Sequence, residues 1–174
     1  VGGGYAAQDM LGVIKSGYAP IAEADAWRLE NYLLSYGIRG RLWLAPFARG
    51  GAEERAQVEA ARMALIEPLE ALRQALSSSA DAGETLRRVY DYLDQTGLFA
   101  RLTAQQERLL RADMPAEAAQ TRQIWDAMMR LLSQAYALLH DVKVSARQLS
   151  AWLEAGLSGC ELSALPPTAD AVMC

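Results

Sequence analysis

Between Pro115 and His140 the chain contains no further glycine or proline, and Ile124, Met128, Leu131, Leu132, Ala135 and Leu139 recur at helical spacing. A stretch of this kind buries its apolar side in one way, as an amphipathic helix of about seven turns, and it requires neighbours that cover that side. The rest of the sequence supplies them. Tyr5 to Lys15 reads as a short helix ended by Ser16-Gly17, with a turn over Gly17-Tyr18-Ala19-Pro20. A second helix is predicted over Glu23–Tyr36, with Trp27, Leu33, Leu34 and Tyr36 on its apolar side and Gly37 as its stop. From Ala52 a helix of roughly 25 residues follows, since Val58, Leu65, Leu69, Leu72 and Leu76 share one face. Pro68 inside it predicts a kink or two abutting helices, and Ser77-Ser78-Ser79 closes it.

Asp81 to Thr96 repeats the pattern through Leu86, Val89, Tyr90 and Leu93 and ends at Gly97; Leu98 to Ala112 is another helix. Pro115 suits the first position of the long helix. Ser145-x-x-Gln148 is a capping box opening a last helix through Leu149, Trp152 and Leu153, with Gly156 as its expected stop. Pro166-Pro167 begins an extended tail, and no two-residue alternation precedes it. The fold class expected is therefore all-α: an irregular bundle of six or seven helices over residues 1–163 with an extended tail over 164–174.

The formal net charge is −4, and arginine supplies nearly all the positive charge, with only Lys15 and Lys143 as lysines. An acidic balance argues against a surface that attracts nucleic acid throughout, so any phosphate contact has to come from a local basic patch. Cys160 and Cys174 are the only cysteines, too few for a disulfide framework or an iron–sulfur cluster, and a reducing cytoplasmic setting is expected. No apolar run approaches the length of a membrane span. Val1-Gly2-Gly3-Gly4 reads as a chain end or linker, so the chain is expected to be part of something longer.

Chemistry-bearing patterns are sparse. No G-x-x-x-x-G-K-[ST] phosphate loop occurs, and Gly2-Gly3-Gly4 has neither the lysine nor a preceding strand. His140, the single histidine, lies at a helix end, where contact with the last carbonyls is the expected role, and it has no metal-ligand spacing around it. Glu53, Glu54, Glu59, Glu67 and Glu70, interspersed with Arg55, Arg62 and Arg73, read as a solvated helix face with i,i+4 pairs. No catalytic residue, metal site, cofactor or small-molecule ligand is expected.

One stretch stands apart. Residues 37–51 carry Arg39, Arg41 and Arg49, no acid, the aromatics Trp43 and Phe47, and glycines or proline at 37, 40, 46, 50 and 51. Two readings follow: a phosphate-contacting loop, or an ordinary connector whose aromatics plug the core while its arginines face water.

The cluster Leu29-Glu30-Asn31-Tyr32, followed by Tyr36-Gly37-Ile38-Arg39-Gly40 and Trp43, resembles a segment of AddB (RexB), the B subunit of bacterial ATP-dependent helicase–deoxyribonucleases. Leu11 to Gly17 is similar to that family's short helix ending in a small residue and glycine. Leu165-Pro166-Pro167-Thr168-Ala169-Asp170-Ala171-Val172 is similar to its strand entering the helicase-like core, although Ala171 stands where the family often has glutamine. The resemblance implies a parent that processes DNA double-strand breaks alongside an A subunit carrying the motor. ATP, magnesium and an iron–sulfur cluster would serve that parent outside these residues. The segment would correspond to the helical, 2B-like insertion of a UvrD-like helicase fold, a non-catalytic part touching duplex DNA weakly and without sequence preference, or packing on the A subunit. A stand-alone helical protein-interaction module is the alternative.

Overall fold

The computed structural model describes residues 4–158. Pro166, Pro167, Asp170, the expected tail and both cysteines lie outside the described residues. Among those described there are seven α-helices, one 3-10 helix and no strand, so the all-α expectation holds. The chain divides into two compact units, the first comprising residues up to 78 together with 91–98, the second 79–90 and the residues from 99 on.

In the first unit α1 (Ala7–Lys15), α2 (Glu23–Tyr36), a 3-10 helix (Gly40–Leu44) and α3 (Ala52–Ser78) enclose one core. Met10 and Ile14 of α1, Leu29, Tyr32 and Leu33 of α2, and Val58, Leu65 and Ile66 of α3 are buried in it. The side of α2 that faces inward differs from the sequence expectation. Leu33 is buried, but Trp27 is 69% and Leu34 61% exposed, with Tyr36 half-buried. At about 100° per residue Trp27 and Leu34 project roughly 150° away from Leu29 and Tyr32, so no single apolar stripe holds all of them. The more complete face, Leu29-Tyr32-Leu33, takes the core.

α3 is one continuous helix through Pro68 rather than two abutting ones. Its last carbonyls are met by serine hydroxyls: Ser77 Oγ donates to Gln74 O at 2.7 Å and Ser78 Oγ to Ala75 O at 3.0 Å.

The second unit contains most of α4 (Ala82–Gln95) and α5 (Leu98–Arg111), together with α6 (Pro115–Leu139) and α7 (Ala146–Ser158). Asp81 caps α4, its Oδ1 accepting from Glu84 N at 2.7 Å, and Glu84 reaches back to Ala80 N at 3.0 Å. The first amides of α4 donate onward to the chain leaving α6: Ala82 N to Val142 O at 3.0 Å and Gly83 N to His140 O at 3.1 Å. Pro115 opens α6 as expected. The Ser145–Gln148 capping box forms in both directions, Ser145 N to Gln148 Oε1 at 3.0 Å and Gln148 N to Ser145 Oγ at 3.3 Å.

Gly156 does not stop α7, which runs on to Ser158. Its lack of a side chain serves packing instead: a Cβ there would lie 2.5 Å from Leu131 Cδ1. His140 takes the expected role, with Nδ1 3.1 Å from Tyr136 O, its ring stacked on Tyr136 and Nε2 3.0 Å from Asp141 Oδ2.

Candidate nucleic-acid interface

The acid-free loop begins where α2 ends. Gly37 (φ +61°) and Gly40 (φ +57°) both occupy the left-handed region, where a Cβ is strained, so the chain reverses twice within four residues. Ile38 N closes the first reversal on Leu33 O at 3.2 Å, and Gly40 N donates to Tyr5 O at 2.8 Å. The 3-10 helix that follows carries Arg41 outward and Trp43 inward.

Trp43 is fully buried and Phe47 nearly so, with their rings meeting edge-on at 5.6 Å. Phe47 also stacks on Tyr32 at 5.0 Å, and Tyr32 contacts Tyr36 at 4.6 Å. The loop is thus nailed to the core by two aromatics that plug it, while Arg39, Arg41 and Arg49 are exposed. That arrangement satisfies the connector reading in full. It is also the geometry a phosphate-contacting loop needs, because a preset backbone does not have to be ordered on binding.

The three arginines are not equivalent. The Arg49 guanidinium donates to the carbonyl of Tyr36, at the C-terminus of α2, where a cation also complements the helix dipole. Arg49 O in turn accepts from the Tyr32 hydroxyl. Arg39 and Arg41 form no side-chain ion pair or hydrogen bond among the described residues and remain available to an external anion.

The other motif residues divide between packing and surface. Leu29 and Tyr32 are buried, Asn31 is exposed, and Glu30 pairs with Lys15 at 2.9 Å, tying α1 to α2.

Further side chains that hold the loop down come from α3, and they correct the reading of that helix as a solvated charged face. Arg62 is only 3% exposed. Its Nη1 donates to Trp43 O at 2.6 Å, and its Nε and Nη2 form a fork on Glu59 at 2.8 and 2.6 Å. The same guanidinium lies over the Phe47 ring, 5.8 Å from its centroid. The forked hydrogen bonds from Arg62 hold the Glu59 carboxyl below the usual carboxylate range.

Glu54 accepts from the Tyr36 hydroxyl at 2.8 Å. Arg55 Nη1 reaches Ala48 O at 3.4 Å. Glu70, forked by Arg73, accepts from the Tyr5 hydroxyl. Burial first, and then this bond to Glu70, raise the Tyr5 hydroxyl to about 12. Sequence reasoning found the Glu–Arg spacing on α3 but not the loop carbonyls and tyrosines those side chains serve.

Among the described residues no group of three or more His, Cys, Asp and Glu side chains is placed to hold a metal ion. None of the described helices is long and apolar enough to cross a membrane.

No family model matches the chain. The curated relatives named here share a single description. It is 23% identical over 188 residues to the ATP-dependent helicase/deoxyribonuclease B subunit of Alkaliphilus metalliredigens, covering 98% of this chain and 16% of that protein. It is 25% identical to the protein of the same name in Clostridium novyi, over 94% of this chain and 15% of that protein. With the Moorella thermoacetica protein, again of that name, the identity is 27%, over 92% of this chain and 15% of the relative. The chain thus spans less than a fifth of the length of these relatives. The resemblance first seen between Leu29 and Trp43 extends over nearly the whole chain, which is similar to one segment of the B subunit of the ATP-dependent helicase/deoxyribonuclease, the family called AddB.

Proposed function

We propose that this chain is a non-catalytic helical part of a helicase–nuclease B subunit that processes double-strand breaks for recombinational repair in the cytoplasm. In this reading it meets duplex DNA through Arg39 and Arg41, next to a partner A subunit. The observation that carries it is the pinned loop: an acid-free turn whose aromatics are buried and whose two uncommitted arginines face outward from a fixed backbone. The names of the relatives supply the context of a DNA-processing complex. ATP, magnesium and an iron–sulfur cluster belong, in this reading, to other parts of the complex, as the resemblance implies.

Two phosphate contacts release about two counterions, giving a log–log salt slope near −1.8. The acidic remainder of the surface opposes binding. The dissociation constant is then on the order of 10⁻⁴ M at physiological salt, in the non-specific range. Attachment to other DNA-binding parts raises the effective concentration and turns this small term into an orienting contact. A salt titration of duplex binding tests the reading. The double variant Arg39→Ala/Arg41→Ala loses the slope and most of the affinity if the loop is the contact. Equal affinity and slope for variant and wild type reject it.

A further inference from the structure

Arg62 is buried, charged and 19 residues from Trp43 in sequence, yet its guanidinium bonds to the backbone of the 3-10 helix at Trp43 O. A buried guanidinium is costly unless it is paired and its donors are used. Here Glu59 supplies the counter-charge and Trp43 O takes a further donor, so the group is retained in a configuration with a specific geometric product. Trp43 is the fourth of the five residues in the 3-10 helix, whose last carbonyls lack partners within so short an element. At the other end Gly40 N is held by Tyr5 O at 2.8 Å. Arg41 therefore lies between two fixed backbone points, Gly40 N and Trp43 O, and Arg39 directly precedes the first.

We infer that Arg62, through its bond to the Trp43 carbonyl, is a positioning residue that presets the Arg39–Arg41 turn for a nucleic-acid phosphate. This rests on the duplex-contact reading above and adds the device that keeps the turn ready. The planar guanidinium fork suits this role, because it reaches a carboxylate and a carbonyl in different directions at once. A lysine ammonium in its place keeps the charge but cannot reproduce that fork on Glu59 together with the bond to Trp43 O. Losing the bond frees the turn, and binding then has to order it again. Fixing even one residue's backbone has a cost that corresponds to a roughly tenfold loss of affinity. The phosphate contacts themselves are unchanged, so the salt slope is not altered.

The test compares wild type, Arg62→Lys, Arg62→Met and Arg39→Ala/Arg41→Ala. Duplex DNA of random sequence is titrated at several low salt concentrations, well below each variant's melting temperature. Amide hydrogen exchange over residues 38–48 is measured on the same samples without DNA. Expected are faster exchange confined to residues 40–44 in Arg62→Lys, a roughly tenfold weaker affinity, and a salt slope equal to that of wild type. Arg62→Met is expected to show the same pattern with a lower melting temperature, since it leaves Glu59 without its partner.

Unchanged exchange at residues 40–44 in Arg62→Lys overturns the inference, whatever DNA does. So does unchanged affinity in Arg62→Lys where Arg39→Ala/Arg41→Ala binds more weakly. If Arg39→Ala/Arg41→Ala itself binds as wild type does, the duplex-contact reading is what fails, and the positioning role for a phosphate falls with it.

Discussion

Replacing Trp43 with alanine measures how firmly the loop is attached to the first unit. The side chain is fully buried between Phe47 and the surrounding core, and its Nε1 has no acceptor among the described residues. The substitution therefore deletes apolar contact and no side-chain hydrogen bond. A tryptophan buries about 150–250 Å². At about 25 cal/mol per Å² this corresponds to roughly 4–6 kcal/mol. Allowing for apolar surface already hidden in the unfolded chain brings the loss to about 3–5 kcal/mol, the range found for truncating core aromatics. For a compact unit of this size each kcal/mol moves the melting temperature by about 4–8 °C, so a fall of at least ~12 °C is expected. Far-UV circular dichroism on heating reads it. Tryptophan emission should shift to the red at the same time, because the fully buried Trp43 is lost while Trp27 and Trp152, 69% and 46% exposed, remain together with the half-buried Trp125. A melting temperature within a degree or two of wild type would refute the burial of Trp43 and with it the pinned loop.

Trp27→Ala, on the opposite face of α2, should change stability by no more than about 0.5 kcal/mol in the same melt, since its ring is largely in solvent. Gly83→Ala should destabilise despite alanine's better helix propensity. A Cβ there would meet His140 O at 2.9 Å and His140 Cα at 3.1 Å, and backbone yields little, so an overpacking cost of about 1–3 kcal/mol exceeds the gain of up to ~1 kcal/mol. In alkaline solution Tyr5 should act as a stability switch. Its folded value is raised from 10.0 to about 12, so its contribution is complete below pH 10 and disappears as pH rises toward 12. Denaturant unfolding of wild type and Tyr5→Phe should therefore converge across that window, and a constant difference would contradict the Tyr5–Glu70 contact.

Much of the helical framework was legible because its signals are local. Gly37 after Tyr36, Pro115 at the start of α6 and the Ser145–Gln148 box each specify a terminus through neighbours within a few residues, and the structure places those termini there. Gly156 carried the same local signal as Gly37 and misled, because its role is to admit Leu131 from the preceding helix, α6. Trp27 misled through its size: weight of hydrophobicity suggested burial, while angular position excluded it. In the candidate site the sequence displayed the arginines and the buried aromatics but not what secures them. The bonds from Arg62 to Trp43, from Tyr36 to Glu54 and from Tyr5 to Glu70 span 19, 18 and 65 residues. On their own helix, Glu54, Glu59, Arg62 and Glu70 look like any solvated charged face. Only the tertiary fold separates a surface pair from a buried clamp.

The central claim, that the Arg39–Arg41 turn meets duplex DNA, is tested most directly by proximity. A photo-crosslinking amino acid at position 42 replaces a leucine 46% exposed beside Arg41, and the same group at position 138 replaces one 79% exposed on α6. Irradiation with duplex DNA at low salt should give an adduct at position 42 that fades as salt is raised, and little at position 138. No adduct at 42, or equal yields at both positions, would contradict that contact.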